Sequence, residues 1–239
     1  LGEVIIDALN NGADNIVISL GGIDSFDGGI GMMQALGAQF YNDEGELLDA
    51  REGAQVIKFI RRIDFSAIPQ NFKDAHIQLM SDFSSKLYGK HSEIMKTYET
   101  HQLTREKAAE IDNLIWYFSE LVKNEMKIAM GPIERGGAGG GIAALLNGLY
   151  DAEILTSHEL VNQITHLDDL VSQADLIIFG EGVKEEDHLL ETTTLTIAEL
   201  AQKHDKPAIA ICATDDKFDV FDQYHVTAMF NTCLLYTSL

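Results

Sequence analysis

With 239 residues and 46% hydrophobic content, the chain has material for one large or two small domains around a buried core. Its 17 Lys and Arg stand against 38 Asp and Glu, a formal charge of -21, and no basic run breaks the acidity, so no nucleic-acid partner is expected and the acidic surface reads as a solubility device. The apolar runs are too short to cross a bilayer, so no membrane partner is expected, and the two cysteines, Cys212 and Cys233, make neither a CxxC pair nor a disulfide framework, which fits a reducing cytoplasm.

The chain opens with Leu1-Gly2-Glu3-Val4, inside an apparent helix and without an initiator Met, so an N-terminal truncation is expected. Residues 16–20 read as a buried parallel strand that ends in Gly21-Gly22-Ile23-Asp24. The glycine-rich stretch Gly21 to Gly31 then leads into a helix carrying Met32, Met33, Ala35 and Leu36. Two readings are open for it: tight strand–helix packing, or an oxyanion or phosphate cradle at a helix N-terminus. It lacks the Gly-Lys-Ser/Thr of a Walker loop and does not complete GxGxxG.

A second strand, 77–80, ends in Ser81-Asp82. From Arg105 to about Lys127, the spacing of Ile111, Leu114, Ile115, Phe118, Leu121 and Val122 predicts one apolar helix face, which is core. Gly136-Gly137-Ala138-Gly139-Gly140-Gly141 enters another apolar helix, 142–149, and reads either as donors at a helix N-terminus or as close packing or a flexible loop. Ser157 precedes His158-Glu159-Leu160 as a helix start. A third strand, 176–179, ends in Gly180-Glu181-Gly182. Thr196-Ile197-Ala198-Glu199 has capping-box spacing for starting or resetting a helix that runs to Lys203, and a fourth strand, 208–212, ends in Ala213-Thr214-Asp215-Asp216.

Strands alternating with helices predict an α/β fold, and strand-end acids in such folds face a ligand crevice unless they cap the next helix. Asp82 and Glu181 are therefore candidate catalytic residues, and Asp27 either does the same or caps its helix, while the eight histidines show no HExxH or zinc spacing and leave any metal ligands unassigned. The domain crossover is expected near 172–175. The tail from Cys233, with Leu234-Leu235-Tyr236-Thr237-Ser238, resembles a translated library-adapter end and is set aside as a scar.

The run Ile18-Ser19-Leu20-Gly21-Gly22, then Asp27-Gly28-Gly29-Ile30-Gly31-Met32 and Gln34-Ala35-Leu36-Gly37-Ala38, resembles the signature of the ATP-dependent glycerate kinase family. The likeness continues in order through Asp43-Glu44-Gly45, Ile63-Asp64-Phe65-Ser66, Ser81-Asp82, Gly139-Gly140, Ala174-Asp175-Leu176-Ile177-Ile178-Phe179-Gly180-Glu181-Gly182 and Lys206-Pro207-Ala208. It implies a two-domain architecture in which an inserted α/β domain, 1–171, precedes part of a Rossmann-like domain, 172–232, with residues 233–239 as the scar. It also implies transfer of the ATP γ-phosphoryl group to a hydroxyl of D-glycerate, with Mg²⁺, in a cleft between the domains. On that resemblance Gly21, Gly22, Ser25, Gly28, Gly29, Gly180 and Gly182 would contact substrate or phosphate.

The chain departs from the family at several of these places. Ile23, Asp24 and Phe26 stand where the family's glycine loop has Ser, Ala and Asn. Val183, Glu185, Asp187 and His188 replace an Arg- and Gln-bearing stretch, and a Gly-Pro-Gln-Lys-Gly-like segment is replaced around 99–103. Loss of cationic and amide donors weakens anion binding, so a catalytically impaired paralogue that binds ligand or regulates is the alternative expectation.

Overall fold

The computed structural model describes residues 1–21, 25–82, 84–181, 193–212, 221, 223–224 and 226–231. They divide into two compact units, Leu1–Leu155 and Thr156–Leu239. The first runs α1 (Gly2–Asn10), β1 (Asn15–Ser19), α2 (Ile30–Ala35), β2 (Gln39–Tyr41), a kinked 3-10 segment (Ala50–Phe59), β3 (Arg62–Asp64), α3 (Gln70–Lys73) and β4 (His76–Met80). It continues with α4 (Glu93–Thr97), α5 (Arg105–Met126), a 3-10 turn (Ala138–Gly141), α6 (Ile142–Tyr150) and β5 (Glu153–Leu155).

β1, β4 and β5 form a parallel sheet in the order β1-β4-β5, with Ile16 opposite Ile77 and Ile18 opposite Leu79. Ile18, Ile77 and Leu79 bury one face under α-helical layers, whereas Val17 on the other face is half exposed. The expectation of a strand buried on both sides therefore holds for only one face of β1. The pair β2–β3, not foreseen from the sequence, is antiparallel, with Phe40 opposite Ile63. Its Phe40 meets Phe65 and Phe118 edge-on at 6.4 Å. Thr104 caps α5 by accepting from the Lys107 amide, and Ile115, Phe118 and Val122 are buried, with Ile111, Leu114 and Leu121 packed beside them on the expected face.

The second unit runs α7 (Ser157–Thr165), α8 (Leu167–Gln173), β6 (Ile177–Glu181), α9 (Thr193–Lys203), β7 (Ala208–Cys212) and β8 (Ala228–Asn231). Thr156 and Glu159 make a reciprocal capping box at the start of α7. α9 passes through Thr196 without restarting there, so the Thr196–Glu199 spacing does not open the helix. α7 and α8 pack with α9, which places residues 157–173 in this unit and differs from the crossover expected at 172–175. The Asp168 carboxylate joins α8 to α9 by accepting from His204 at 2.7 Å and Lys203 at 3.0 Å, and these bonds hold its pKa below the usual carboxylate range.

β6, β7 and β8 form a second parallel sheet in that order. Ile177, Phe179, Ala208, Ala210 and Cys212 are buried with Val171, Ala198 and Phe221. On the opposite face Ile178, Ile211 and Phe230 are 61%, 38% and 57% exposed, and Ile211 pairs directly with Phe230. Parallel sheets are ordinarily covered on both faces. The 239-residue chain is accordingly expected to bind an apolar-surface dye such as ANS, and Ile211→Thr with Phe230→Thr should cut that signal severalfold while leaving the helical circular dichroism in place. Dye binding that is absent, or unmoved by the pair, counts against an accessible apolar face.

Candidate functional site

The first unit holds a cleft of about 1070 Å³ lined by the end of β1 (Ser19), the glycine stretch (Ser25, Asp27, Gly31), α2 and the segment from Leu47 to Gly53. α2 holds that last segment in place through one side chain. Gln34 donates from Nε2 to the Leu48 carbonyl at 2.7 Å and accepts from the Ala50 amide at 2.8 Å. Asp49 then caps the 3-10 segment through the Arg51 amide, and its carboxylate receives Nε and Nη2 of Arg51 at 2.9 and 2.7 Å. The Arg51 fork holds the Asp49 carboxyl below its usual range. Arg51 is the one Lys, Arg or His among the described lining residues, against Glu3, Asp27 and Asp49. Because its pair with Asp49 is solvent-exposed and weakly held, an incoming anion can compete for the guanidinium.

Asp27 is a buried carboxylate that organises the glycine stretch. Oδ1 accepts from the Gly29 amide at 2.9 Å and Oδ2 from the Gly31 amide at 3.1 Å. The Gly28 amide donates to the Gly140 carbonyl at 2.9 Å and the Ile30 amide to the Asp27 carbonyl at 3.4 Å. Every amide from 28 to 31 thus has an internal partner. Gly28 and Gly29 are closely packed: a Cβ on Gly28 would stand 3.0 Å from the Phe118 ring, and one on Gly29 3.0 Å from Leu145.

The second glycine run packs against the first. Gly139 and Gly140 adopt φ of 62° and 64°, and a Cβ on Gly140 would overlap the Ser25 carbonyl oxygen. A Cβ on Gly141 would come 2.9 Å from the Gly28 Cα. The run is also tied to the loop after β4, since the Gly137 amide donates to the Ser85 carbonyl at 3.1 Å. Asp112 of α5 fixes that loop in turn, accepting from the Gly89 amide and the Ser92 hydroxyl.

The remaining expected site residues are dispersed. Ser25 is exposed at the cleft wall, and Gly21 is exposed with open space where a Cβ would point. Asp82 is exposed just past β4, after Ser81, whose amide donates to the Leu155 carbonyl. Gly180 and Glu181 are the last two residues of β6, paired with Ile211 and Cys212, so the strand runs two residues further than its apolar run predicts. Gly22 and Gly182, like the departures at 23, 24 and 183–188, lie outside the described residues.

Sequence reasoning missed Glu93. It sits in the first turn of α4 with Oε2 buried and without a hydrogen-bond partner. Burial pushes its carboxyl up to about 7, and the Gly140 and Gly139 amides and Lys96 offset this only in part. Only the unremarkable Ser92-Glu93 pair marks it in the sequence, and its environment comes from a glycine run more than forty residues downstream.

Compared with known proteins, the chain matches the profile described as the glycerate kinase family over residues 1–239. It is 30% identical over 213 residues to a glycerate kinase of Halalkalibacterium halodurans, covering 89% of this chain and 56% of that one. It is 29% identical over 231 residues to glycerate 2-kinase of Escherichia coli K12, covering 96% and 60%. A crystal structure from Salmonella typhimurium LT2, provisionally named glycerate kinase 2, superposes with a TM-score of 0.82 at 27% identity, covering 98% of this chain and 62% of that one. The chain thus spans little more than half the length of these relatives.

Proposed function

Since the chain belongs to the glycerate kinase family, we propose that the complete protein transfers the γ-phosphoryl group of ATP to a hydroxyl of D-glycerate, giving phosphoglycerate and ADP. The observation that carries this reading is the family match along all 239 residues, and the superposition on the Salmonella structure supports it. In this reading the first unit is the inserted α/β domain and the second is part of a Rossmann-like domain. Asp82, just past β4 of the first unit, and Glu181, at the end of β6 of the second, are the strand-end acids proposed to serve the substrate.

Within the first unit, Arg51 offers a forked donor for a carboxylate, Ser25 offers a hydroxyl, and Asp27 sets the loop that carries Ser25. ATP would supply the phosphoryl group, and a bound Mg²⁺ would supply charge neutralisation for it. The described residues do not by themselves make a metal–nucleotide site. No group of three or more His, Cys, Asp and Glu among them is arranged to hold a metal ion, and the amides of 28–31 are all engaged.

The same engaged amides, with a single basic side chain among the described residues of the cleft wall, favour the second reading, a paralogue that binds ligand without efficient transfer. Incubating the complete protein with ATP-Mg²⁺ and D-glycerate, and following ADP and phosphoglycerate, separates the two. The kinase reading expects glycerate-dependent turnover by the complete protein and none by the 239-residue chain. Glycerate or ATP binding without turnover would establish the second reading instead.

A further inference from the structure

We propose that Glu93 is a positioning residue for this site, its carboxyl setting how the second glycine run seats against the first and thereby where Ser25 stands at the cleft wall. The proposal rests on the kinase reading only for its effect on turnover; the geometry stands separately. The chain of contacts is short. The carboxyl of Glu93 faces the amides of Gly140 and Gly139, and the carbonyl of Gly140 accepts from the Gly28 amide at 2.9 Å. Gly140 also lies so close to the Ser25 carbonyl that no side chain fits between them. Ser25 and Asp27 in turn line the cleft. A change in the pull on the Gly139 and Gly140 amides therefore reaches the cleft through one hydrogen bond and one close contact.

Ionisation is such a change. A carboxylate attracts backbone N–H groups more strongly than the neutral acid, whereas burial of Oε2 without a partner opposes its charge. The charged groups around it are few. Lys96 lies on the same helix, and α5 contributes Asp112, committed to Gly89 and Ser92. The stretch from Gly136 to Ile142 carries no titratable side chain, and Asp27 on the first run is bound to Gly29 and Gly31. None of these supplies a close counter-charge other than Lys96. With burial raising its carboxyl to about 7, Glu93 is expected to change its ionisation around neutral pH. The folded value lies above the ordinary 4.5, so the folded chain holds a proton that the unfolded chain releases, and this contribution to stability falls as pH rises from about 4.5 to 7.

The test uses the complete protein and Glu93→Gln, which keeps the shape and removes the titration. Carboxyl and amide resonances are followed by NMR from pH 5 to 9, alongside the pH profile of kcat/KM. The expected result is a Glu93 carboxyl midpoint near 7, with the Gly28, Gly139, Gly140 and Ser25 amides shifting at the same midpoint. All of these responses should vanish in Glu93→Gln, together with a severalfold change in kcat/KM between pH 6 and 8. A midpoint in the ordinary carboxylate range, amides that do not follow it, or an unaltered response in Glu93→Gln overturns the proposal. If the wild-type protein shows no turnover while the carboxyl and amides titrate together, the kinase reading fails and the positioning role stands.

Discussion

Gly140→Ala is expected to be the most damaging single methyl in the first unit, lowering its stability by about 4 kcal/mol or preventing its folding. Two costs add. The left-handed backbone at φ 64° disfavours any Cβ, and the added carbon would overlap the Ser25 carbonyl oxygen, which is backbone and cannot rotate away. Relief requires separating the two glycine runs, which breaks the Gly28 amide to Gly140 carbonyl bond and opens the packing of Gly141 on Gly28. Gly45→Ala is the internal control: its φ is 81° but nothing stands within 4 Å, so it carries the backbone cost alone, about 1 kcal/mol. Urea unfolding of both variants checks this. Equal losses would mean that the runs are not in contact.

Asp27→Ala is expected to cost about 3 kcal/mol, because it removes the acceptor for two amides and leaves those amides in a buried site. Asp27→Asn keeps one acceptor oxygen and should lose about 1 kcal/mol, since its NH2 group sets donors against the one of the Gly29 and Gly31 amides that the replaced oxygen served. Thermal or urea denaturation, with turnover measured in parallel on the complete protein, separates this loop-setting task from direct chemistry. The capping geometry expects stability and turnover to fall together in both variants, graded Ala over Asn. Abolished turnover with stability intact in Asp27→Asn would instead place the carboxylate on the reacting groups.

The α/β class, the four expected strands and the buried face of α5 were legible because each is written in a local period. Residues 208–212 form a strand with the expected bounds, and Ile115, Phe118 and Val122 are buried at helical spacing. The family resemblance was legible for a related reason, since ordered short motifs such as Asp27-Gly28-Gly29 survive in the chain itself. Less visible were the three-residue strands β2, β3 and β5, whose bounds depend on pairing partners rather than on their own pattern.

What the sequence alone determined, then, was which of the longer segments are strands and helices, where glycine permits a tight approach, and which family the chain resembles. Only the tertiary structure decided what the glycines approach. Their local signal is equal for an anion and for a neighbouring backbone, and it is in three dimensions that Gly140 meets Ser25 and that Asp27 accepts from the amides of Gly29 and Gly31. Glu93 belongs to the same class of fact. Its pKa, raised to about 7, comes from burial in a neighbourhood that no window of sequence around position 93 contains, because desolvation is a property of packing and not of order along the chain.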